Sequence, residues 1–177
     1  LLLDCPKNNC IMVYLDEEDA ELLFGIIYEH YARREEVPRY QDERSGIERL
    51  RGVFQGVRMD EFYPDFFDKA AYFLTQINEG HFFSNGNKRL ALVITTAFIY
   101  LNHFRFRTIS KEDYKAHLSR LFPAYGAWQD FNDFFPEEFG LYNLSIIVAD
   151  NKKYVSSFGE LKQKVKEFLS FSAEKTS

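Results

Sequence analysis

The 177-residue sequence predicts an all-α fold, a helical bundle organised around one buried helix. Apolar residues recur at helical spacing in most segments, and Asp or Ser precedes several of these stripes as a typical helix N-cap. The run from Leu90 to Leu101 is apolar on nearly every side, which is typical of a helix surrounded by other elements. Residues 46–60 show no clear period and are the one candidate for a short β-hairpin.

Two helices are expected before residues 81–89, which we call the central loop. Residues 1–10 are interpreted as a tail or a linker stub. Asp16 is a typical N-cap, and the apolar spacing after it predicts a helix over about residues 17–33. A second apolar stripe predicts a helix over about residues 65–79, with Gly80 as a typical C-cap.

Residues 46–60 contain three glycines, and the sequence allows two interpretations of them. The first is a surface loop, because the segment is rich in glycine and lacks a period. The second is a short hairpin flap with an exposed edge that pairs with an extended peptide. The flap residues expected to contact a target are Gly46, Ile47, Leu50, Gly52 and Val53.

The second half of the chain also favours helices. We expect them over residues 87–101, 111–121 and 158–171, the last one amphipathic and packed either on this chain or on a partner. Residues 124–136 are interpreted as an irregular segment packed on the core. Residues 137–151 are open to two interpretations, a helix or, because they include three consecutive β-branched residues, a strand.

We predict one domain over residues 11–123, with residues 124–177 as a helical C-terminal extension of the same domain. Hydrophobic residues make up 46% of the chain, which is typical of a globular protein. The formal net charge of −5 argues against a nucleic-acid partner or a membrane surface. The chain has two cysteines, so we expect a reducing compartment, the cytoplasm, rather than a secreted disulfide scaffold.

Nine consecutive residues, beginning at His81 and ending at Arg89, concentrate the groups that bind phosphate. Histidine accepts protons near neutral pH, as a general base must, and Gly86 allows backbone N–H groups to approach a phosphate closely. Asn87 is expected to fix the loop by hydrogen bonds. Lys88 and Arg89 stand at the start of a helix, where cations oppose the helix dipole by up to about 1 kcal/mol unless an anion is bound. The loop therefore predicts an anionic ligand.

The string HFFSNGNKR at residues 81–89 resembles the signature of the Fic/Doc family, H-x-F-x-[D/E]-[G/A]-N-[G/K]-R. At the second-last position Lys88 is similar to the Doc branch, the death-on-curing toxins, whereas the Fic adenylyltransferases have Gly there. Residues 63–71 also resemble the helix before the family's loop, and the likeness extends over residues 11–123. Phe83, inside the motif, is expected to pin the loop to the core.

The resemblance implies a helical bundle with a hairpin flap over the loop, and transfer of a phosphate-containing group from a nucleotide to a protein hydroxyl. The implied donor is ATP with Mg²⁺, and the implied acceptor is a Ser, Thr or Tyr side chain of a protein target. His81 would be the general base, and Arg89 would stabilise the charge of the transition state. The nucleotide-binding residues that the resemblance implies are Ser84, Asn85, Gly86, Asn87, Lys88 and Arg89.

Lys88 favours one of two transfer reactions. In Doc-like proteins the residue at this position accompanies an inverted ATP and transfer of the terminal phosphoryl group. The resemblance therefore implies a protein kinase, a toxin restrained by an antitoxin partner. Where the family has Gly at this position it transfers AMP, so adenylyl transfer (AMPylation) is the alternative.

Asn85 departs from the family pattern, which has an acidic residue at this position to hold Mg²⁺ through the phosphates. An amide oxygen ligates Mg²⁺ without the negative charge that a hard cation prefers. We therefore expect weaker metal binding, help from another carboxylate, or a protein with little activity. The last case corresponds to a non-catalytic relative that uses its groove for binding.

Overall fold

A computed structural model describes residues 12–31, 39–131 and 134–176. Within these ranges the chain forms seven α-helices, two 3-10 helices (Tyr40–Asp42 and Asn151–Lys153) and one two-stranded sheet. The α-helices are α1 (Glu17–Tyr31), α2 (Arg44–Gly56), α3 (Phe66–Glu79), α4 (Asn87–Leu101), α5 (Lys111–Leu121), α6 (Pro136–Ala149) and α7 (Phe158–Ser172). The predicted all-α fold is confirmed. The predicted tail over residues 1–10 lies outside the described residues.

The helix α4 lies at the centre of the core, as its apolar sequence predicted. It packs against α3, α1 and α6, and α3 packs in turn against α7. The α4 side chains buried in the core are Leu90, Ala91, Ile94, Thr95, Phe98 and Ile99. Because the loop before α4 is joined directly to this buried helix, the first turn of α4 is held in place by the whole core.

The helix before the loop begins at a capping box. The Asp65 carboxylate accepts a hydrogen bond from the Asp68 amide at 2.9 Å, and the Asp68 carboxylate accepts one from the Asp65 amide at 3.3 Å. This reciprocal pair satisfies two amides that a helix start would leave without acceptors. The predicted helix over residues 65–79 is confirmed to within one residue.

The structure corrects the prediction for residues 46–60. Most of them belong to α2 and the turn that follows it, so the surface loop and the hairpin flap are both wrong. The apolar residues of α2 and its first following residue recur at helical spacing after all, and all but Ile47 are buried; they are Ile47, Leu50, Val53, Phe54 and Val57. Of the five proposed flap residues, Gly46, Leu50 and Val53 are buried, and none lies on a strand edge.

Glycine in α2 reflects close packing rather than a turn. A Cβ atom on Gly46 would lie 2.6 Å from the carbonyl oxygen of Phe82 and 2.6 Å from the ring of Phe83. A Cβ atom on Gly56 would clash with the hydroxyl group of Tyr72, which lies at the far end of a side chain and can shift. The contact at Gly46 is with backbone, so this position excludes a side chain. That constraint depends on residues far away in the sequence.

The C-terminal part of the chain is helical and packs in cis. Residues 137–151, open between helix and strand, belong mostly to α6. The predicted amphipathic helix is α7, and its buried residues Leu161, Val165 and Phe168 are part of the same core as α3 and α4. Residues 124–131 are irregular, as expected. The division between a domain over residues 11–123 and an extension stays a prediction.

A two-stranded antiparallel sheet, which the sequence analysis did not predict, joins the end of α4 to the C-terminal segment. Strand β1 (Phe104–Phe106) pairs with β2 (Ala173–Lys175), and the Arg105 guanidinium contacts the Glu174 carboxylate at 3.0 Å across them. Among the described residues, no helix combines the length and the hydropathy that a membrane crossing requires.

We expect Gly46→Ala to lower the free energy of unfolding by about 1–3 kcal/mol, because the added methyl group displaces the Phe82 carbonyl or the Phe83 ring. Gly52→Ala is the matched control in the same helix, where nothing lies within 4 Å of the added atom. That variant should raise the free energy of unfolding by about 0.5–1 kcal/mol through helix propensity. Urea denaturation of both variants measures this difference. Equal effects would contradict the close packing at Gly46.

Candidate functional site

A cavity of about 730 Å³ lies at the N-terminus of α4. The loop residues that line it are His81, Ser84, Asn85, Gly86, Asn87, Lys88 and Arg89. The structure thus brings together around one cavity all seven residues that the sequence predicted for catalysis and phosphate binding. The five proposed flap residues of α2 do not line it.

The first turn of α4 presents backbone amides at this cavity. Gly86 is the N-cap, with φ 74° and ψ 7°, a left-handed conformation that glycine adopts without strain. The first helical hydrogen bond runs from the Leu90 amide to the Gly86 carbonyl at 2.9 Å. The amides of Asn87, Lys88 and Arg89 precede that bond, and such amides carry the positive end of the helix dipole. An anion in the cavity would meet them directly.

The side chain of Asn87 closes the loop on itself. Its Oδ1 accepts a hydrogen bond from the Phe83 amide at 2.9 Å, and its Nδ2 donates one to the Phe83 carbonyl at 2.7 Å. Asn87 is only 8% exposed, so both bonds are shielded from water. The prediction that Asn87 fixes the loop is confirmed. The second hydrogen of Nδ2 and the backbone N–H are the donors of Asn87 that these two bonds leave for a phosphate.

Phe83 anchors the loop to the core, as predicted. Its ring is 3% exposed and packs edge-on against Tyr40 at 4.9 Å and against Phe24 at 6.0 Å between centroids. The Tyr40 hydroxyl also donates a hydrogen bond to the Gly86 carbonyl at 3.2 Å. The aromatic cluster thus holds both the middle of the loop and the helix start.

His81 is the first residue of the loop, and its side chain is exposed at the cavity. Its φ of 45° is unusual for a residue other than glycine, and such conformations cost about 1–3 kcal/mol. Arg49 of α2 braces this turn: its guanidinium donates to the Gly80 carbonyl at 2.6 Å and to the His81 carbonyl at 3.4 Å. It also lies 4.6 Å from the centre of the Phe82 ring.

Glu43 and Arg49 are site-supporting residues that the sequence analysis missed. The Glu43 carboxylate accepts hydrogen bonds from the Ser84 amide and from the Ser84 hydroxyl, each at 2.7 Å. A phosphate that used Ser84 would compete with this carboxylate. Both residues lie in or beside the segment that was interpreted as a loop or flap, more than 30 residues from their partners. The helical spacing within α2 would have placed Arg49 on a helix, but no sequence signal pairs either residue with the loop.

The electrostatics of the cavity favour an anion. Two cationic side chains, those of the exposed Lys88 and the half-buried Arg89, line it beside His81. No Asp or Glu occurs among the described lining residues. Cations and helix-start amides without a lining carboxylate make a site suited to phosphate groups.

Asn85 does not form a metal site with its neighbours. Its side-chain oxygen accepts a hydrogen bond from the Gly86 amide at 2.6 Å, so this oxygen is turned toward its own loop. In the described part of the chain, no three His, Cys, Asp or Glu side chains cluster in a way that would hold a metal ion. The residues present therefore do not fit a Mg²⁺ ion held by the protein alone.

The rest of the cavity lining comes from α3, from the second turn of α4, from α6 and from the segment before α6. These residues are Asn78, Leu92, Phe131, Phe134, Tyr142 and Ala149. Three of the six are aromatic. None of the six is among the residues that the sequence predicted for the site.

A family model described as the Fic/DOC family matches residues 14–99, slightly less than half of the chain. The matched range contains α1, α2, α3, the cavity loop and nearly all of α4. The match supports the Fic family for this part of the chain. No curated protein and no solved structure matches the sequence.

We expect Asn87→Ala to lower the free energy of unfolding by about 1–3 kcal/mol, because it leaves the buried Phe83 amide and carbonyl without partners. Asn85→Ala is the control, since Asn85 is exposed and bonds only to the next amide. The Asn85→Ala substitution should lower the free energy of unfolding by less than about 1 kcal/mol. Chemical denaturation of both variants checks the order, and an Asn85→Ala variant as unstable as Asn87→Ala would contradict it.

Proposed function

We propose that the protein transfers a phosphate-containing group from a nucleotide to a hydroxyl side chain of a protein target. One observation carries the proposal: an exposed imidazole, that of His81, lines the same cavity as two cations and the amides of a helix N-terminus. The family match over residues 14–99 supports the same reaction class. A base beside a phosphate-binding site is the minimal machinery for transfer to an alcohol.

The nucleotide is proposed to be ATP, with its phosphates at the start of α4. Lys88 and Arg89 neutralise phosphate charge, and the amides that begin with Asn87 donate hydrogen bonds to phosphate oxygens. Gly86 leaves room for this approach because it carries no side chain. The cavity volume of about 730 Å³ lies within the range of small-molecule sites.

In the proposed step, His81 accepts the proton of a Ser, Thr or Tyr hydroxyl as its oxygen attacks phosphorus. The new oxygen–phosphorus bond forms while the bond between phosphorus and the leaving oxygen breaks. Attack on the γ-phosphorus releases ADP, and attack on the α-phosphorus releases pyrophosphate. Arg89 stabilises the negative charge that spreads over the phosphate oxygens in the transition state.

Phosphoryl transfer is the favoured reaction because position 88 carries Lys rather than Gly. The Lys88 side chain is exposed and lines the cavity, so it occupies space and adds charge beside the phosphates. This matches the Doc-like form of the motif. Adenylyl transfer is the competing outcome of the experiment below.

We propose that Mg²⁺ binds together with the nucleotide, through its phosphates. Asn85 lacks a charge, and its oxygen is engaged with the Gly86 amide. Mg²⁺ usually keeps several waters and binds substrate phosphates together with few protein ligands. No step of the proposed reaction is assigned to the metal.

The proposal extends to a toxin held in check by an antitoxin protein. The resemblance to the Doc motif is its support. Expression of the wild-type chain without such a partner should then slow bacterial growth, whereas His81→Ala should not. If both proteins slow growth equally, the chain acts by binding rather than by transfer.

We expect label from γ-³²P-ATP to appear on protein targets in a lysate, and His81→Ala to lower this incorporation by about 10²- to 10⁴-fold. The matched control is His103→Ala, another exposed histidine with positive φ (61°), which does not line the cavity. It should leave incorporation unchanged. Label from α-³²P-ATP instead of γ-³²P-ATP would assign adenylyl transfer. Absence of both labels would contradict a transferase.

We expect Asn85→Asp to lower the Mg²⁺ concentration needed for half-maximal ATP binding several-fold. A carboxylate accepts from the Gly86 amide with one oxygen, as Asn85 does, and offers the second, charged oxygen to the cation. Calorimetric ATP titrations at a series of Mg²⁺ concentrations measure this change without requiring turnover. Asn85→Ala is the uncharged control. An unchanged Mg²⁺ requirement in the Asp variant would show that the ion does not contact this position.

A further inference from the structure

One face of the first helix, α1, is exposed and carries large apolar side chains. Leu22, Ile26 and Tyr28 are 69%, 58% and 46% exposed. Residues three and four positions apart are neighbours on a helix surface, so these side chains surround Gly25 on one face. We call this surface the α1 outer face; it consists of Glu21, Leu22, Gly25, Ile26, Tyr28 and Glu29.

The opposite face of α1 supplies its contacts with the core. Ala20, Phe24 and Ile27 are buried there, and α1 packs against α4 and the first 3-10 helix. No described residue of α1 lines the cavity at the start of α4, so a ligand of that cavity would leave the α1 outer face uncovered. Single exposed apolar residues are ordinary on protein surfaces, whereas three on one helix face indicate a surface that another molecule covers.

Gly25 leaves a gap in the middle of the α1 outer face. No described atom outside the helix backbone lies within 4 Å of a Cβ atom built at this position, so close packing does not require glycine here as it does at Gly46. A glycine inside a helix makes the helix less stable than an alanine would. Because Leu22 and Ile26 stand beside it, the gap has the form of a hole that accepts a side chain of a second helix.

The charges of α1 indicate which kind of helix fits. The α1 sequence contains five acidic residues and no Lys or Arg. Glu17, beside the outer face, pairs with Arg51 of α2, but neither Glu21 nor Glu29 forms an ion pair with another described residue. Two copies of this face would repel each other, whereas Lys or Arg residues of a partner would be attracted.

We propose that the α1 outer face docks an amphipathic helix of a partner protein, in which basic residues flank the apolar side chains. One apolar side chain of that helix enters the gap at Gly25 and contacts Leu22 and Ile26. Lys or Arg residues on the two flanks pair with Glu21 and Glu29. The inference does not depend on the function proposed above, since the α1 outer face and the cavity share no described residue.

Peptide binding to the full chain tests this proposal. The probe is a synthetic amphipathic helix of about 18 residues, with Leu at helical spacing along one face and Lys on both flanks. One control peptide carries Glu in place of Lys, and another has the same composition in an order that removes the apolar face. Fluorescence anisotropy should show that the Lys-flanked peptide binds about tenfold or more tightly than either control.

Filling the gap distinguishes a shaped docking site from a nonspecific apolar surface. Gly25→Leu should weaken binding of the Lys-flanked peptide about tenfold or more, although it makes the surface more apolar. Gly159→Leu is the matched control in α7, where the nearest atom to an added Cβ is the Ser157 hydroxyl oxygen at 3.9 Å. It should leave binding unchanged. Both positions have room for a side chain, so both variants should fold, which circular dichroism checks.

Charge reversal separates the local carboxylates from the net charge of the chain. Glu21→Lys should weaken the Lys-flanked peptide and strengthen the Glu-flanked one. Glu112→Lys makes the same change in net charge at an exposed position of α5, a helix that packs against α6 and α7, and should alter neither. Leu22→Ser should weaken the Lys-flanked peptide as well, because it removes apolar contact area.

Three results would each overturn the proposal. If all three peptides bind alike, or none binds, the face does not select a basic amphipathic helix. If Gly25→Leu binds the Lys-flanked peptide as tightly as the wild type, no side chain enters the gap. If sedimentation shows a dimer that Leu22→Ser dissociates, the occupant is a second copy of the chain. None of these measurements requires nucleotide, so a failure of the proposed transferase function would leave their results unchanged.

Discussion

The pair of hydrogen bonds between Asn87 and the backbone of Phe83 is the constraint on which the site depends. The two bonds, 2.9 Å and 2.7 Å long, join residues four positions apart and are shielded from water. Because the Phe83 ring is buried against Tyr40 at the same time, the loop has one face in the core and one at the cavity. The start of α4, with Gly86 in a left-handed conformation, is thereby positioned before any ligand arrives.

Residues before the motif hold this arrangement from the other side. Tyr40 bonds to the Gly86 carbonyl, Glu43 to Ser84, and Arg49 to the turn at His81. The segment that was interpreted as a loop or a hairpin flap is thus a helix that braces the loop, and Glu43, the residue before α2, uses its side chain for the loop rather than to cap that helix. Braced in this way, the unusual backbone of His81 is compatible with a stable fold.

The cavity is lined by residues from both the N-terminal and the C-terminal half of the chain. The cationic side chains and helix-start amides come from the range that the family model matches, whereas the aromatic lining residues Phe131, Phe134 and Tyr142 come from the segment before α6 and from α6 itself. The C-terminal helix α7 packs on α3, the helix that leads into the loop. The cavity thus combines cationic and amide groups at a helix start with aromatic groups from outside the matched range.

The sequence by itself determined the local features: the N-cap at Asp16, the apolar stripes of α3, α4 and α7, and the loop residues from His81 to Arg89 with Phe83 as anchor. Each of these depends on neighbours a few residues apart, which a sequence displays directly. Only the tertiary structure decided that Glu43 and Arg49 support the loop and that a sheet joins β1 to β2. The helix over residues 44–56 was missed although its apolar residues recur at helical spacing. Gly46 excludes a side chain because Phe82 and Phe83 lie against it, and such contacts between distant segments leave no periodic pattern in the sequence.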